Sequence, residues 1–134
     1  MKPALIDTDI LSLFFKNNQT VVSKFKSYLK YYPTINISII TYYEIVSGLE
    51  YKNAIKQLKK FYNFIPYINV LPITSDSADT SAEIYKSLRQ KGEILDDLDI
   101  LIAGIALSNN LVIVTNNEKH FKRIKGLAIE NWSK

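Results

Sequence analysis

Short apolar runs alternate with amphipathic segments along the whole 134-residue chain. The runs are rich in Ile, Val and Leu and are too short for helices, so they predict buried strands. A regular alternation of strands and helices favours a parallel sheet with helices on both faces. The sequence therefore predicts an α/β fold: an α/β/α sandwich whose central, mostly parallel sheet has about five strands, at 4–7, 35–40, 68–73, 111–115 and 126–132.

The predicted helices occupy the intervals between these strands. Gly92 is placed to end the longest of them, at about 76–91. Thr41 and Glu44 have the spacing of a capping box, which predicts a helix beginning at Thr41. The segment after Asp96 is apolar on nearly every side, as is typical of a central, buried helix, and Asp96 is its predicted N-cap.

Composition limits the possible classes of protein. The chain is 47% hydrophobic and 22% charged, which predicts a single folded domain over residues 1–134. It has no cysteine, so disulfides and thiolate metal sites are excluded. It has no long apolar run and no signal-peptide pattern, so we expect a cytoplasmic protein without a membrane partner. A net charge of +4 fits either a nucleic-acid partner or a solvated, Lys-rich surface.

Carboxylates stand where several elements reach one edge of the predicted sheet. Asp7 ends the first strand, Glu44 begins a helix, and Asp97 and Asp99 open the buried helix. Helix capping explains Asp97 and Glu44 equally well, but a carboxylate at the end of a central strand is costly to bury. Two such charges about 4 Å apart repel by about 4 kcal/mol at an effective dielectric of 20. A divalent cation relieves that repulsion, and oxygen ligands favour Mg²⁺ or Mn²⁺.

Other polar residues are weaker candidates. Asn117 follows the fourth strand and lies near the same predicted edge. Asp9 is placed to cap the first short helix. His120 is the only histidine, and its position in a short polar helix fits a surface role or a contact with phosphate. No glycine-rich phosphate-binding loop is present.

Five motifs resemble, in order, those of PIN-domain proteins, and in particular VapC-type toxins of toxin–antitoxin pairs. They are LIDTDIL (5–11), ISIITYYEIVSGL (37–49), DDLDILIAGIAL (96–107), VTNNEKHF (114–121) and GLAIENW (126–132). The resemblance covers residues 3–132. It implies a PIN-like α/β/α fold and an endoribonuclease that depends on Mg²⁺ or Mn²⁺.

The resemblance also implies roles for five residues. Asp7, Glu44 and Asp99 match the acidic residues of the family, and Asp97 matches a frequent acidic neighbour. These four would hold the metal, with Glu44 also able to position the attacking water. Asn117 stands where many members have aspartate, and it would orient water or phosphate. It carries no charge, which argues against a second metal.

The partners implied by the resemblance are RNA, a cognate antitoxin protein and a second copy of the chain. Transfer RNA is the leading substrate class, and Lys119, Lys122 and Arg123 are candidates for contact with the RNA backbone. The antitoxin would cover the acidic cleft. A homodimer is expected.

Two other interpretations remain open at this point. A PIN-like domain that has lost catalysis could serve as a scaffold for partners. The residues IDTDIL also resemble the motif of haloacid-dehalogenase-like phosphatases, with Asp7 as nucleophile and Asp9 as acid or base. Leu11 departs from that motif, and no convincing lysine element follows it.

Overall fold

A five-stranded parallel sheet lies at the centre of the protein, in the order β3-β2-β1-β4-β5. The computed structural model describes residues 1–134. The strands are β1 (Ala4–Ile6), β2 (Ile35–Ser38), β3 (Ile68–Leu71), β4 (Val112–Val114) and β5 (Ile129–Glu130). The helices are α1 (Thr8–Phe15), α2 (Gln19–Leu29), α3 (Ile39–Tyr51), α4 (Ile55–Phe64), α5 (Ser75–Gln90), α6 (Asp97–Ser108) and α7 (Glu118–Phe121), with a 3₁₀ turn at Ile65–Tyr67. The predicted α/β sandwich is confirmed.

The central strand β1 is buried on both faces, which explains its uninterrupted apolar sequence. Ala4 and Ile6 point into one core, and Leu5 points into the other. The register pairs Leu5 with Ile113 of β4 and with Asn36 of β2. This register brings the carboxyl ends of β1, β2 and β4 to one edge of the sheet.

The helices α1–α4 cover one face of the sheet and form what we call the aromatic layer. Their buried side chains include Phe25, Tyr28 and Phe61, and Phe14 stacks on Phe25 with ring centroids 4.2 Å apart. Trp132 closes this core from the C-terminal end of the chain and is 2% exposed. A core of large, flat side chains is stabilised by apolar burial and by edge-to-face and stacked contacts.

The helices α5 and α6 cover the other face and form the aliphatic layer. Helix α6 buries Ile100 and every residue from Ile102 to Ala106, which confirms the predicted central helix. A Cβ atom added to Gly104 would lie 1.9 Å from Ser81 Oγ and 2.6 Å from the Ser77 carbonyl oxygen. The absence of a side chain at this position therefore lets α5 and α6 pack closely.

The predicted start of α3 is wrong. The strand β2 ends at Ser38, and the helix begins at Ile39, two residues before Thr41. Ser38 is the N-cap, because its hydroxyl accepts a hydrogen bond from the Thr41 amide at 3.0 Å. The isoleucine-rich run of 37–40 is as compatible with the first turn of a buried helix as with a strand, and the Ser38 cap decides between them.

Two predicted boundaries, at Asp96 and Gly92, are confirmed. Asp96 is the N-cap of α6 and accepts a hydrogen bond from the Leu98 amide at 3.3 Å. Gly92, with φ of 69°, follows α5 in the left-handed conformation that glycine adopts readily. No helix combines the length and the apolar character needed to cross a bilayer.

Candidate metal centre

Four carboxylates lie at the edge of the sheet where the parallel strands end, and we call this group the carboxylate edge. Asp7 directly follows β1, Asp9 is in the first turn of α1, Glu44 is on α3, and Asp99 is in the first turn of α6. Their charges interact: those of Asp9 and Asp99 raise the pKa of Asp7, and that of Glu44 raises the pKa of Asp99. The topology therefore brings together residues from distant parts of the chain.

Asp7 is the most buried member of the carboxylate edge, with 6% of its surface exposed. Its Oδ1 accepts a hydrogen bond from the Thr8 amide at 2.9 Å, and its Oδ2 accepts one from the Thr115 hydroxyl at 2.8 Å. Burial, and next the charge of Asp9, raise the pKa of Asp7 to about 7, against the opposing effect of these two hydrogen bonds. A nearby cation therefore stabilises the charged form of this buried carboxylate more than it would stabilise that of an exposed one.

Asp9 joins α1 to the loop after β4. Its Oδ1 accepts a hydrogen bond from the Ile10 amide at 2.7 Å, and its Oδ2 accepts one from the Asn116 amide at 3.0 Å. Burial raises its pKa, against these backbone bonds. The prediction that Asp9 caps α1 is wrong, because the N-cap is Asp7.

Glu44 on α3 is held by Thr8 of α1, which also contacts Thr41 on the helix of Glu44. The Thr8 hydroxyl donates a hydrogen bond to Glu44 Oε1 at 2.6 Å, and Thr8 Oγ1 lies 3.0 Å from Thr41 Oγ1. The prediction of a capping-box role for Glu44 is therefore wrong. Its carboxylate points across to α1 at the carboxylate edge instead of back along its own helix.

Asp99 is partly buried, with 23% of its side chain exposed. Burial, and next the charge of Asp96, raise its pKa, whereas His120 lowers it. His120 Nδ1 lies 3.7 Å from Asp99 Oδ2, is buried and has no hydrogen-bond partner. His120 therefore lies beside the carboxylate edge, with the rest of its ring half-exposed.

The other two predicted site residues are less tightly held. Asp97 is exposed in the first turn of α6, and no hydrogen bond ties its carboxylate to the carboxylate edge. Asn117 is exposed at the start of α7, where its amide donates to Thr115 Oγ1 at 2.9 Å. The backbone of Asn117 is thus linked to Asp7 through Thr115, while its side chain is free to turn towards the site.

Two threonines that position the carboxylates were missed as functional residues by the sequence reasoning. Thr8 holds Glu44, and Thr115 holds Asp7. The signal was present, because each hydroxyl stands directly beside a strand end, in the stretches DTD and VTNN. Hydroxyl residues at such positions are common, however, so only the contacts identify their partners.

The donor set suits a hard divalent cation. No Lys or Arg lies within ion-pair distance of the four carboxylates of the carboxylate edge. No three acidic or histidine side chains are arranged as a ready cage for an ion. Mg²⁺ does not need such a cage, because it keeps several waters and binds through one or two carboxylates together with substrate phosphates. The residues present therefore fit Mg²⁺ or Mn²⁺ in chemistry and in charge.

Comparison with known proteins agrees with this geometry. The family model described as PIN domain matches residues 4–127. The tRNA(fMet)-specific endonuclease VapC of Shigella flexneri is 31% identical over 130 residues, which is 96% of this chain and 97% of that protein. Ribonuclease VapC2 of Rickettsia felis is 35% identical over 102 residues, which is 75% of this chain and 76% of that protein.

Solved structures show the same fold. VapBC from Salmonella typhimurium bound to DNA matches with a TM-score of 0.88 and 32% identity, over 98% of this chain and 99% of that one. VapBC2 from Rickettsia felis, bound to a DNA fragment from its promoter, matches with a TM-score of 0.87 and 30% identity, over 96% of this chain and 98% of that one. The segment IDTDIL, on which the phosphatase interpretation rested, lies within the PIN-domain match, so that interpretation is dropped. The chain belongs to the PIN-domain family, within its VapC-type group.

Proposed function

We propose that this protein is a divalent-metal-dependent endoribonuclease and the toxin of a toxin–antitoxin pair. The observation that carries the proposal is the carboxylate edge, in which buried Asp7 lies among like charges with no Lys or Arg to neutralise them. Like charges buried together destabilise a fold, and such groups are concentrated at functional sites, where a bound cation can neutralise them. The names of the relatives support hydrolysis of RNA as the reaction.

The proposed roles combine the family resemblance with the way in which Asp7 and Glu44 are held. Asp7, Asp99, Glu44 and Asp97 would hold Mg²⁺ or Mn²⁺ directly or through water, and the bound cation would supply positive charge to the scissile phosphate and acidify a water. Glu44, fixed by its bond from Thr8, would accept a proton from the attacking water. The side-chain amide of Asn117 would donate a hydrogen bond to a phosphate oxygen or to water.

The decisive experiment is cleavage of total small RNA by the purified, antitoxin-free protein, with Mg²⁺, with Mn²⁺ and with EDTA. We expect discrete fragments that require the metal. Asp99→Asn should slow their formation at least about a hundredfold, because it removes a charge at the reacting centre. Asp79→Asn, an exposed change on α5, is the matched control and should cleave as the wild type does.

Two results would contradict the proposal. Cleavage that survives both EDTA and Asp99→Asn would point to a contaminant or to a different site. A folded protein that cuts no RNA with either metal would favour the scaffold interpretation, in which the domain binds partners without catalysis.

The substrate class is proposed to be transfer RNA. The support is the tRNA(fMet) specificity in the name of the Shigella flexneri relative, which matches nearly the whole chain. Parallel digests of tRNA, ribosomal RNA and messenger RNA should show tRNA cut at the lowest enzyme concentration. Equal rates on all three would contradict this choice.

The proposed partners are a cognate antitoxin covering the carboxylate edge and a second copy of the chain. The solved VapBC complexes support a protein partner. The aromatic layer also has an open apolar groove of about 460 Å³, which offers surface to such a partner and is lined by Phe14, Phe15, Val22, Phe25, Leu29 and Phe64 among others. Adding the antitoxin should abolish RNA cleavage, and light scattering on the isolated protein should give twice the mass of 15.4 kDa.

A further inference from the structure

A second groove of the aromatic layer runs away from the carboxylate edge. It has a volume of about 500 Å³ and lies between α1, α3 and α4. Thr8 and Glu44 line it at the carboxylate edge, and Lys16, Lys52 and Lys60 also line it. We call it the lysine groove. Glu44 is the only acidic residue in its lining, so the groove beyond the carboxylate edge is positively charged.

The spacing along the two long walls is regular. On α1, Thr8, Ser12 and Lys16 follow one another at intervals of four residues, and all three line the groove. On α3, Glu44, Gly48 and Lys52 do the same. Eight helical residues span about 12 Å, so each wall leads from the carboxylate edge to a lysine two turns away.

Gly48 keeps the middle of one wall free of side-chain atoms. A Cβ atom at this position would find nothing within 4 Å, so no close packing requires a glycine here. Glycine is also an unfavourable residue inside a helix. Gly104 contrasts with it, because neighbouring atoms leave no room for any side chain there. The open space beside Gly48 lies directly between Glu44 and Lys52.

The lysines are available to a ligand to different degrees. Lys60 Nζ lies 3.4 Å from the Phe15 carbonyl oxygen at the end of α1 and so has a structural partner. Lys16 and Lys52 are exposed, and no carboxylate pairs with either. Both stand at the C-caps of their helices, where the helix dipole stabilises a positive charge without requiring a particular side-chain direction.

We propose that the lysine groove receives the single-stranded RNA segment next to the scissile phosphate, with Lys16 and Lys52 contacting its backbone phosphates. The inference rests on the proposed function and adds the direction in which the strand leaves the site. Proteins commonly hold single-stranded nucleic acid with a cationic groove that tracks the backbone and with aromatic rings on which bases stack, and the partly exposed Phe15 supplies such a ring in the lining. A basic protein segment would be repelled by the same lysines.

The test measures binding separately from cleavage. A fluorescently labelled single-stranded oligoribonucleotide is titrated, with anisotropy as the readout, in the Asp99→Asn background. The double change Lys16→Gln/Lys52→Gln should raise Kd about tenfold and reduce the slope of log K against log salt by about 1.4, or 0.7 for each lost phosphate contact. The matched control is Lys86→Gln/Lys91→Gln, with both exposed lysines at the α5 end of the opposite layer.

Gly48→Leu tests the same groove without removing a charge. The larger side chain should block the path between Glu44 and Lys52 and raise Kd for the oligoribonucleotide by about the same factor of ten. The thermal midpoint should not fall, because leucine favours the helix and its Cβ atom would meet no other atom within 4 Å. Loss of binding with the fold intact is a result that a purely structural role for Gly48 does not give.

The outcomes separate this inference from the proposed function. If the wild type cuts RNA but the lysine and Gly48 variants bind like the control, the groove proposal fails alone. If RNA affinity is unchanged while the lysine variants lose a protein partner, the groove belongs to that partner and the proposal is overturned. If the variants weaken binding but the wild type cuts nothing, the nuclease proposal fails; the lysine groove is then an RNA-binding groove, and the part of the proposal that places it next to a scissile phosphate is overturned. If the wild type neither binds nor cuts RNA, both fail.

Discussion

The aromatic layer and the aliphatic layer cover the same sheet in different ways. The aromatic layer packs large rings around two open grooves, whereas α5 and α6 approach so closely that Gly104 has no room for a side chain. The carboxylate edge draws Glu44 from the open layer and Asp99 from the close-packed one. Both layers therefore contribute carboxylates to the site, but only the aromatic layer leaves open grooves beside it.

The largest expected effect comes from Asp7, which directly follows the central strand β1 between the two layers. Its pKa of about 7 in the folded protein lies above the ordinary value of 3.8. Its contribution to stability is therefore fully present below about pH 4 and is lost as the pH rises through 7. The metal-free wild type should lose up to about 4 kcal/mol relative to Asp7→Asn over this range.

Urea unfolding in EDTA at pH 4.5, 6 and 8 would measure this effect. The free energy of unfolding of the wild type should fall steadily relative to that of Asp7→Asn as the pH rises. A difference that is constant across the three values would mean that Asp7 is not strained by burial. Added Mg²⁺ should stabilise the wild type at pH 8 more than it stabilises the variant.

Removing a ring tests how far the aromatic layer depends on its stacked core. Phe25 is fully buried between Phe14 and Trp132, with the Trp132 centroid 5.5 Å away. Phe25→Ala should lower the free energy of unfolding by about 4 kcal/mol, through lost burial and the cavity left behind. Tyr31→Ala, an aromatic change at an exposed position just after α2, should cost less than about 0.5 kcal/mol in the same denaturation assay. Similar losses for both would contradict the proposed core.

The same substitution at two glycines should have opposite effects in the two layers. Gly104→Ala should lower the free energy of unfolding by about 3 kcal/mol, because the new methyl group overlaps the Ser77 carbonyl and Ser81. Gly48→Ala should raise it by up to about 1 kcal/mol, because the helix gains and nothing is displaced. Chemical denaturation of both variants measures the contrast, which disappears if the layers are equally tolerant.

The smallest expected effect concerns the cap of α6. Asp96→Ala removes the hydrogen bond to the Leu98 amide and should cost about 1 kcal/mol. RNA cleavage should fall much less than in Asp99→Asn, since Asp96 caps the helix and Asp99 faces the site. The control Asp79→Ala, in the exposed middle of α5, should leave stability unchanged within about 0.5 kcal/mol. A large loss of cleavage in Asp96→Ala would mean that Asp96 also acts in the site and is not only the helix cap.

Several features of this protein were readable from the sequence because they depend on local patterns. The β-branched runs determined the strands, and their alternation with helical segments determined the parallel sheet. The all-round apolar character of the segment after Asp96 identified α6 as the central helix, and the five ordered motifs identified the family. Asp7 and Asp99 could be placed at one edge because parallel strands share a direction.

Only the tertiary structure decided which atoms meet at that edge. Thr8 of α1 donates a hydrogen bond to Glu44 of α3, and Asp9 accepts one from the Asn116 amide, more than 100 residues away in sequence. The same contacts show why the capping predictions for Glu44 and Asp9 were wrong. Each residue has the sequence spacing of a helix cap, but its carboxylate accepts a hydrogen bond from a residue distant in sequence. The lysine groove, too, arises from two helices lying side by side. Such contacts depend on packing distances, which a single sequence does not contain.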